Sequence, residues 1–144
     1  MNWKRVLCWI FVIMLAIPYL LWLILVQNNL DTYHRCDYYT KHLNGGIRAF
    51  RGKQYNIVLC GFQGRIDPDN VQYDEVRLSV FSMGGELLAE RYYELTLESD
   101  YTMQVHYGND YLTYEDRPKS QTQRVAMPPT CLDWLRARLP RLWP

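Results

Sequence analysis

Four cysteines, three histidines and two adjacent pairs of acids are the side chains in this 144-residue chain best suited to metal binding or acid–base work. His34 and His42 flank Cys36, but two imidazoles eight residues apart with one thiol do not match a zinc spacing. The stretch "DPDNVQYDE" resembles a calcium loop. Counted from Asp67, Asp69 falls on an oxygen position, yet Val71 and Gln72 stand where a ligand and a glycine are needed, and Leu78 where the closing acid belongs. "GFQG" at 61–64 lacks the Gly-Lys-Ser/Thr of a phosphate loop, and Ser79 and Ser82 lack a glycine elbow. Asp74 with Glu75, and Glu115 with Asp116, are neighbours in sequence, so in a strand each pair points to opposite faces. No catalytic residue, metal or cofactor is assigned, and an enzyme is not expected.

The aromatic residues suggest binding instead. Tyr92, Tyr93, Tyr101, Tyr107, Tyr111 and Tyr114 crowd the second half of the chain, and strand alternation sends Tyr92 and Tyr93 to opposite faces. Outward rings among charges suit a protein interface, although ordinary cross-strand packing also accounts for them. The partner-binding candidates are Tyr92, Tyr93, Asp100, Tyr107, Asn109, Asp110, Tyr111, Trp134 and Arg138.

These side chains need elements to hold them. After Lys53 the period becomes that of strands: "YNIVLCGF" is β-rich, and "GRIDPDN" supplies turn chemistry through Pro68 and Asn70. "DEVRLSVFS" alternates, with Val76, Leu78 and Val80 on one face and Arg77, Ser79 and Phe81 on the other. "MGG" and "ELLAERYYEL" complete a hairpin, and "YTMQVHYGNDYLTYED" repeats it with Asn109 and Asp110 at the tip and Met103, Val105 and Tyr107 on one face. "RPKSQT" reads as a loop and "QRVAM" as a last strand. The fold class is mainly β, an antiparallel meander or sandwich of about six strands closed by a short C-terminal helix. For that helix Thr130 is the N-cap and Asp133 the return partner of a capping box; Arg136 and Arg138 suit its C-terminus, and Pro140 ends it. Leu132, Leu135 and Leu139 share one face, expected to lie on the sheet, with Trp134, Trp143 and the arginines as an alternative docking surface.

From Val6 to Val26 the chain has no charge. As a helix this run spans about 31 Å, enough to cross about 30 Å of hydrocarbon once. It is longer than a signal-peptide core, and no small-x-small cleavage site follows, so an uncleaved anchor over 1–27 is expected. Lys4 and Arg5 precede it, which keeps the N-terminus cytoplasmic and sends the rest into the periplasm, if the cell is bacterial. The organisation expected is an inner-membrane anchor over 1–27, a linker or fold-back segment over 28–53, and a periplasmic β-domain over 54–144. Within 28–53, "RCDYYTKHL" suits a short helix stopped by "NGG".

Without Lys4 and Arg5 the formal charge of +1 becomes about −1, with bases and acids interspersed, so nucleic acid is not an expected partner. Cys36, Cys60 and Cys131 meet an oxidising compartment. Cys36–Cys60 is the favoured disulfide, with Cys60 and Cys131 as plain core residues the competing reading.

Three stretches, "SVFSMGGELLAERYY", "YGNDYLTYED" and "MPPTCLDWLRARLP", resemble a family of small envelope proteins of Gram-negative bacteria. That family is similar to proteins encoded beside type VI secretion effectors, where immunity proteins are expected. The resemblance covers roughly residues 54–140 and implies no catalytic residues. It implies an immunity protein that neutralises a toxic effector by direct binding. With the anchor expected from the apolar run, the chain reads as a membrane-anchored periplasmic form, whereas family members often look like lipoproteins or secreted forms. The alternative is a structural or assembly subunit of an envelope complex.

Overall fold

The computed structural model describes residues 13–21, 33–66, 72–96, 104–116 and 120–139. The Pro68/Asn70 turn, Asp100, Met103, Trp143 and most of the Val6–Val26 run lie outside the described residues. Helix α1 covers 13–21, with its side chains exposed. Among the described residues no helix is long and apolar enough to cross a membrane.

The second compact unit, Thr32–Leu139, is mainly β. Its elements are α2 (Cys36–His42), β1 (Gly46–Phe50), β2 (Lys53–Ile66), β3 (Gln72–Ser82), β4 (Leu87–Thr96), β5 (His106–Tyr107), β6 (Tyr111–Asp116), β7 (Gln121–Ala126) and α3 (Cys131–Arg136). They form two antiparallel sheets, β1-β2-β3-β4 and β5-β6-β7. The domain therefore begins near Thr32, not at 54. The segment read as a linker or fold-back segment holds a helix and an edge strand, because α2 and β1 bury Tyr39, Leu43 and Phe50 in the common core. Nothing in the short pattern "GIRAF" announces that strand. The turn after it does: Phe50 pairs with Lys53 around Arg51 and Gly52, both at positive φ, which is the two-residue hairpin geometry that favours glycine.

The alternation in β3 places Val76, Leu78 and Val80 in the interior, where all three are completely buried. Ile57 and Leu59 of β2 and Ala89, Tyr93 and Leu95 of β4 join them. The small sheet contributes Leu112, Tyr114 and Val125, with Val105 and Met127 just outside its strands. The Tyr93 and Tyr114 rings meet across the two sheets at 4.7 Å. Truncating one of the buried leucines would cost about 2–5 kcal/mol.

β1 ends opposite Ile57, which would leave the next stretch of β2 with an open edge. The segment before β1 closes it. Leu59 N–H donates to the Thr40 hydroxyl at 2.9 Å, and that hydroxyl donates to Leu59 O at 3.2 Å. His34 and Gly61 exchange backbone hydrogen bonds of 2.9 and 3.1 Å. A disulfide joins Cys36 to Cys60, tying this plug to the strand it covers. Gly61 is required sterically: a Cβ there would lie 2.1 Å from the Tyr39 ring.

α3 differs from the sequence expectation. The capping box between Thr130 and Asp133 is formed. Leu132, Leu135 and Leu139, however, are exposed, and the buried side chain of the helix is Asp133. The helix lies on β4 through a polar contact, because the inward-facing side chain waiting there is Arg91, which bonds Asp133. A carboxylate satisfies that guanidinium, and a leucine would leave it unpaired.

Candidate functional site

Tyr55 pairs with Ser82, so the β1–β2 and β3–β4 turns lie at the same end of the large sheet. The β5–β6 tip joins them there. Its backbone closes through Gly108 N–H to Tyr111 O at 2.9 Å, and the Asp110 carbonyl accepts Met127 N–H at 2.8 Å, fixing the tip to the segment after β7. The Asp110 carboxylate stands between Arg51 at 3.5 Å and Arg124 at 3.4 Å, with all three side chains about half exposed or more. Arg124 also lies over the Tyr111 ring, 3.8 Å from its centre. Asn109 beside them is exposed.

At the same end, α3 is pinned to the β3–β4 turn. Trp134 Nε1 donates to Glu86 at 2.9 Å, and Arg138 donates to Leu87 O at 2.9 Å and to Glu86 at 3.3 Å. The Arg138 guanidinium covers the Trp134 ring at 3.8 Å. Met83, in the turn itself, is exposed.

The sequence candidates therefore separate. Asn109, Asp110, Tyr111, Trp134 and Arg138 come together at the turn end, where strand pairing also brings Arg51, Met83, Glu86 and Arg124. Tyr93 is not a surface residue: it is 2% exposed, because its row of β4 faces the core. Among the described residues its hydroxyl has no hydrogen-bond partner, and burial pushes that phenol well above its ordinary range. Tyr107 packs on the core and donates to Asn44 O at 2.6 Å; burial raises it, against the opposing pull of Arg48. Tyr92 is half-buried on the outer face of the large sheet, where its hydroxyl donates to Glu90 at 2.9 Å and its ring meets Tyr33 at 5.6 Å. Tyr92, paired with Arg77 in mid-strand, stands away from the turn end, whereas Tyr107 adjoins the β5–β6 tip but turns its ring inward, 6.1 Å from Phe50. Arg51 and Arg124 were missed because an arginine shows no fold-specific period; for Arg51 the Arg-Gly pair between two strands was the available signal.

The residues first considered for chemistry have other employment. Cys36 is in the disulfide, and the His42 ring stacks on Tyr38 at 3.9 Å. Among the described residues no group of three or more metal-ligating side chains converges. Asp74 is buried and accepts a 2.6 Å hydrogen bond from Tyr39, whose phenol is raised by burial and by that carboxylate, while Glu75 accepts from Tyr33 at 2.9 Å on the other face. Asp116 is likewise buried and accepts from Glu94 N–H at 3.4 Å. Burial raises Tyr114 to about 12. These phenols stay protonated at neutral pH and serve packing.

No family model, curated protein or solved structure matches the chain.

Proposed function

We propose that this chain is a membrane-anchored periplasmic binding protein, an immunity protein that neutralises a type VI secretion effector by occupying it. Residues 6–26 serve as the uncleaved anchor, and the turn end of the β-domain makes the contact. The observation that carries this reading is the Arg51–Asp110–Arg124 cluster with Tyr111 beneath Arg124. Ion pairs this exposed stabilise a fold by about 0–1 kcal/mol at most, so gathering three charges and a ring at the turn end does little for the domain itself. Arginine and tyrosine on a rigid tip are instead the residue types that dominate protein–protein affinity. A complex of ordinary size, burying about 1,600 Å² in total, would extend from the tip toward Met83 and Arg138.

The test is protection. Cells deleted for the gene should become sensitive to sister cells that deliver the effector encoded beside it. Plasmid-borne wild type should restore survival, and Asp110→Arg, which sets a third cation beside Arg51 and Arg124, should not, at equal protein level. Unchanged survival of the deletion strain would refute the immunity reading, and full protection by Asp110→Arg would remove the tip from it.

A further inference from the structure

We infer that the turn end of the β-domain receives an acidic surface of the effector, whose carboxylates pair with its cations. This deepens the reading proposed above and rests on it. The near-zero formal charge of the chain conceals a separation along the domain. Asp74 and Glu75 stand near the start of β3, and Glu115 and Asp116 close β6. Glu94 pairs with Glu75, and its N–H reaches Asp116 at 3.4 Å, so these five acids share the end away from the turns, against Arg65 of β2.

The turn end carries the opposite sign. Arg51 and Arg124 share the single carboxylate of Asp110, which leaves one cation in excess. Lys53 pairs with Phe50, so it lies on the core-facing side of the large sheet, and at this last position it is exposed. Arg48, two residues before Phe50, lies on that side too, its guanidinium 4.9 Å over the Tyr107 ring. Among the described residues neither Arg48 nor Lys53 has an acid at ion-pairing distance. Glu86, the other acid of this end, is engaged by Trp134 and Arg138. Four cations thus stand against Asp110 alone.

Complementarity selects the occupant. Arg124 is stacked on Tyr111 and Arg48 on Tyr107, which fixes the planes of both guanidiniums, and a planar fork of donors matches a carboxylate. Arg48 has its Nε buried without a partner among the described residues, so its charge is partly withdrawn from water, and an arriving acid offsets that cost. A nucleic-acid backbone fits worse, because Asp110 among the cations repels phosphate, whereas a protein surface can bring a donor for it. Asp110 also sets the spacing of Arg51 and Arg124, so Asp110→Arg scatters the pair even as it adds charge. The separation of sign along the domain turns this end toward an acidic partner during approach.

The purified effector encoded beside the gene would be bound to the full chain in non-ionic detergent, with the association rate followed by biolayer interferometry. Between about 0.05 and about 0.3 M salt the rate should fall about tenfold, as screening removes the attraction. Lys53→Glu, at an exposed position, should slow association at low salt at least about threefold and leave the unfolding temperature unchanged. A carbodiimide, which joins an amine to a carboxyl group, should couple Lys53 to an Asp or Glu of the effector, located by mass spectrometry. Changing that acid to lysine should weaken binding to the wild type, and Lys53→Glu should restore it. A bound effector with a salt-independent rate, an unaffected Lys53→Glu and no such cross-link overturns the inference and leaves the immunity reading in place. Capture of a fluorescent DNA duplex at about 0.15 M salt overturns it in favour of nucleic acid. An effector that the wild type does not bind overturns the immunity reading, and the inference with it.

Discussion

Asp133 is expected to be the residue whose loss costs α3 its place. Its carboxylate accepts the Thr130 N–H at 2.9 Å and the Thr130 hydroxyl at 2.7 Å, and it pairs with Arg91, whose side chain is only 17% exposed. In Asp133→Ala the returning half of the capping box disappears, at a cost of about 1 kcal/mol. Arg91 is left largely buried without its carboxylate, which costs about 1–3 kcal/mol, less than for a fully buried charge because some water reaches it. The sum is about 3 kcal/mol, or roughly 12 °C in Tm for a domain of about 100 residues. Denaturant and thermal unfolding of the intact chain in detergent, followed by tryptophan fluorescence and far-UV circular dichroism, would measure it. Arg91→Met should recover part of the loss in the double variant, giving a coupling of about 1–3 kcal/mol. The pH dependence has a definite sign. Burial pulls the Asp133 carboxyl up, but the hydrogen bonds from Thr130 and the charge of Arg91 outweigh it and hold the group below its ordinary value of 3.8. Its contribution is therefore complete above that value and is lost as pH falls through the lowered one. A loss under about 1 kcal/mol for Asp133→Ala, or strict additivity with Arg91→Met, would refute the reasoning.

Three further outcomes follow from the core. Tyr93→Phe removes a buried hydroxyl that has no partner among the described residues, so the denaturation midpoint should stay level or rise by up to about 1 kcal/mol equivalent; a clear loss would reveal a bond the hydroxyl makes. Gly61→Ala drives a methyl into the Tyr39 ring and should destabilise by about 1–3 kcal/mol in the same unfolding assay, with Tyr39→Leu expected to relieve much of it. Cys60→Ser opens a disulfide that closes a sequence separation of 24, which corresponds to about 3.5 kcal/mol of loop-closure entropy. Urea unfolding of that variant should show a lower midpoint, together with faster proteolysis within 33–45 as the plug over β2 loosens.

Much of the fold was readable because its signals are local. A two-residue period across 74–80, glycines between two apolar runs, and Thr130 three residues before Asp133 each act over a few residues, and β3, the β3–β4 hairpin and the capped helix sit where those patterns place them. β1 and the partition into two sheets were not readable. A five-residue strand has too few positions to show a period, and its pairing with β2 is settled by a turn of two residues. The candidate surface was half visible: Asn109, Asp110 and Tyr111 stand on a recognisable tip, while Arg51 and Arg124 reach it only because strands distant in sequence end at the same place.

The leucines of α3 mark the boundary most clearly. Residue order alone determined that a helix forms there, because capping and periodicity are properties of neighbours along the chain. Which side of it turns inward was decided by Arg91, forty-two residues earlier, facing the interior from β4 and needing an acid opposite. The same division holds for Tyr92 and Tyr93: alternation put them on opposite faces, and only the arrival of the second sheet, with Tyr114 against Tyr93, decided which face became the core. Local free energy chooses the elements, and desolvation of what they bring together chooses their orientation.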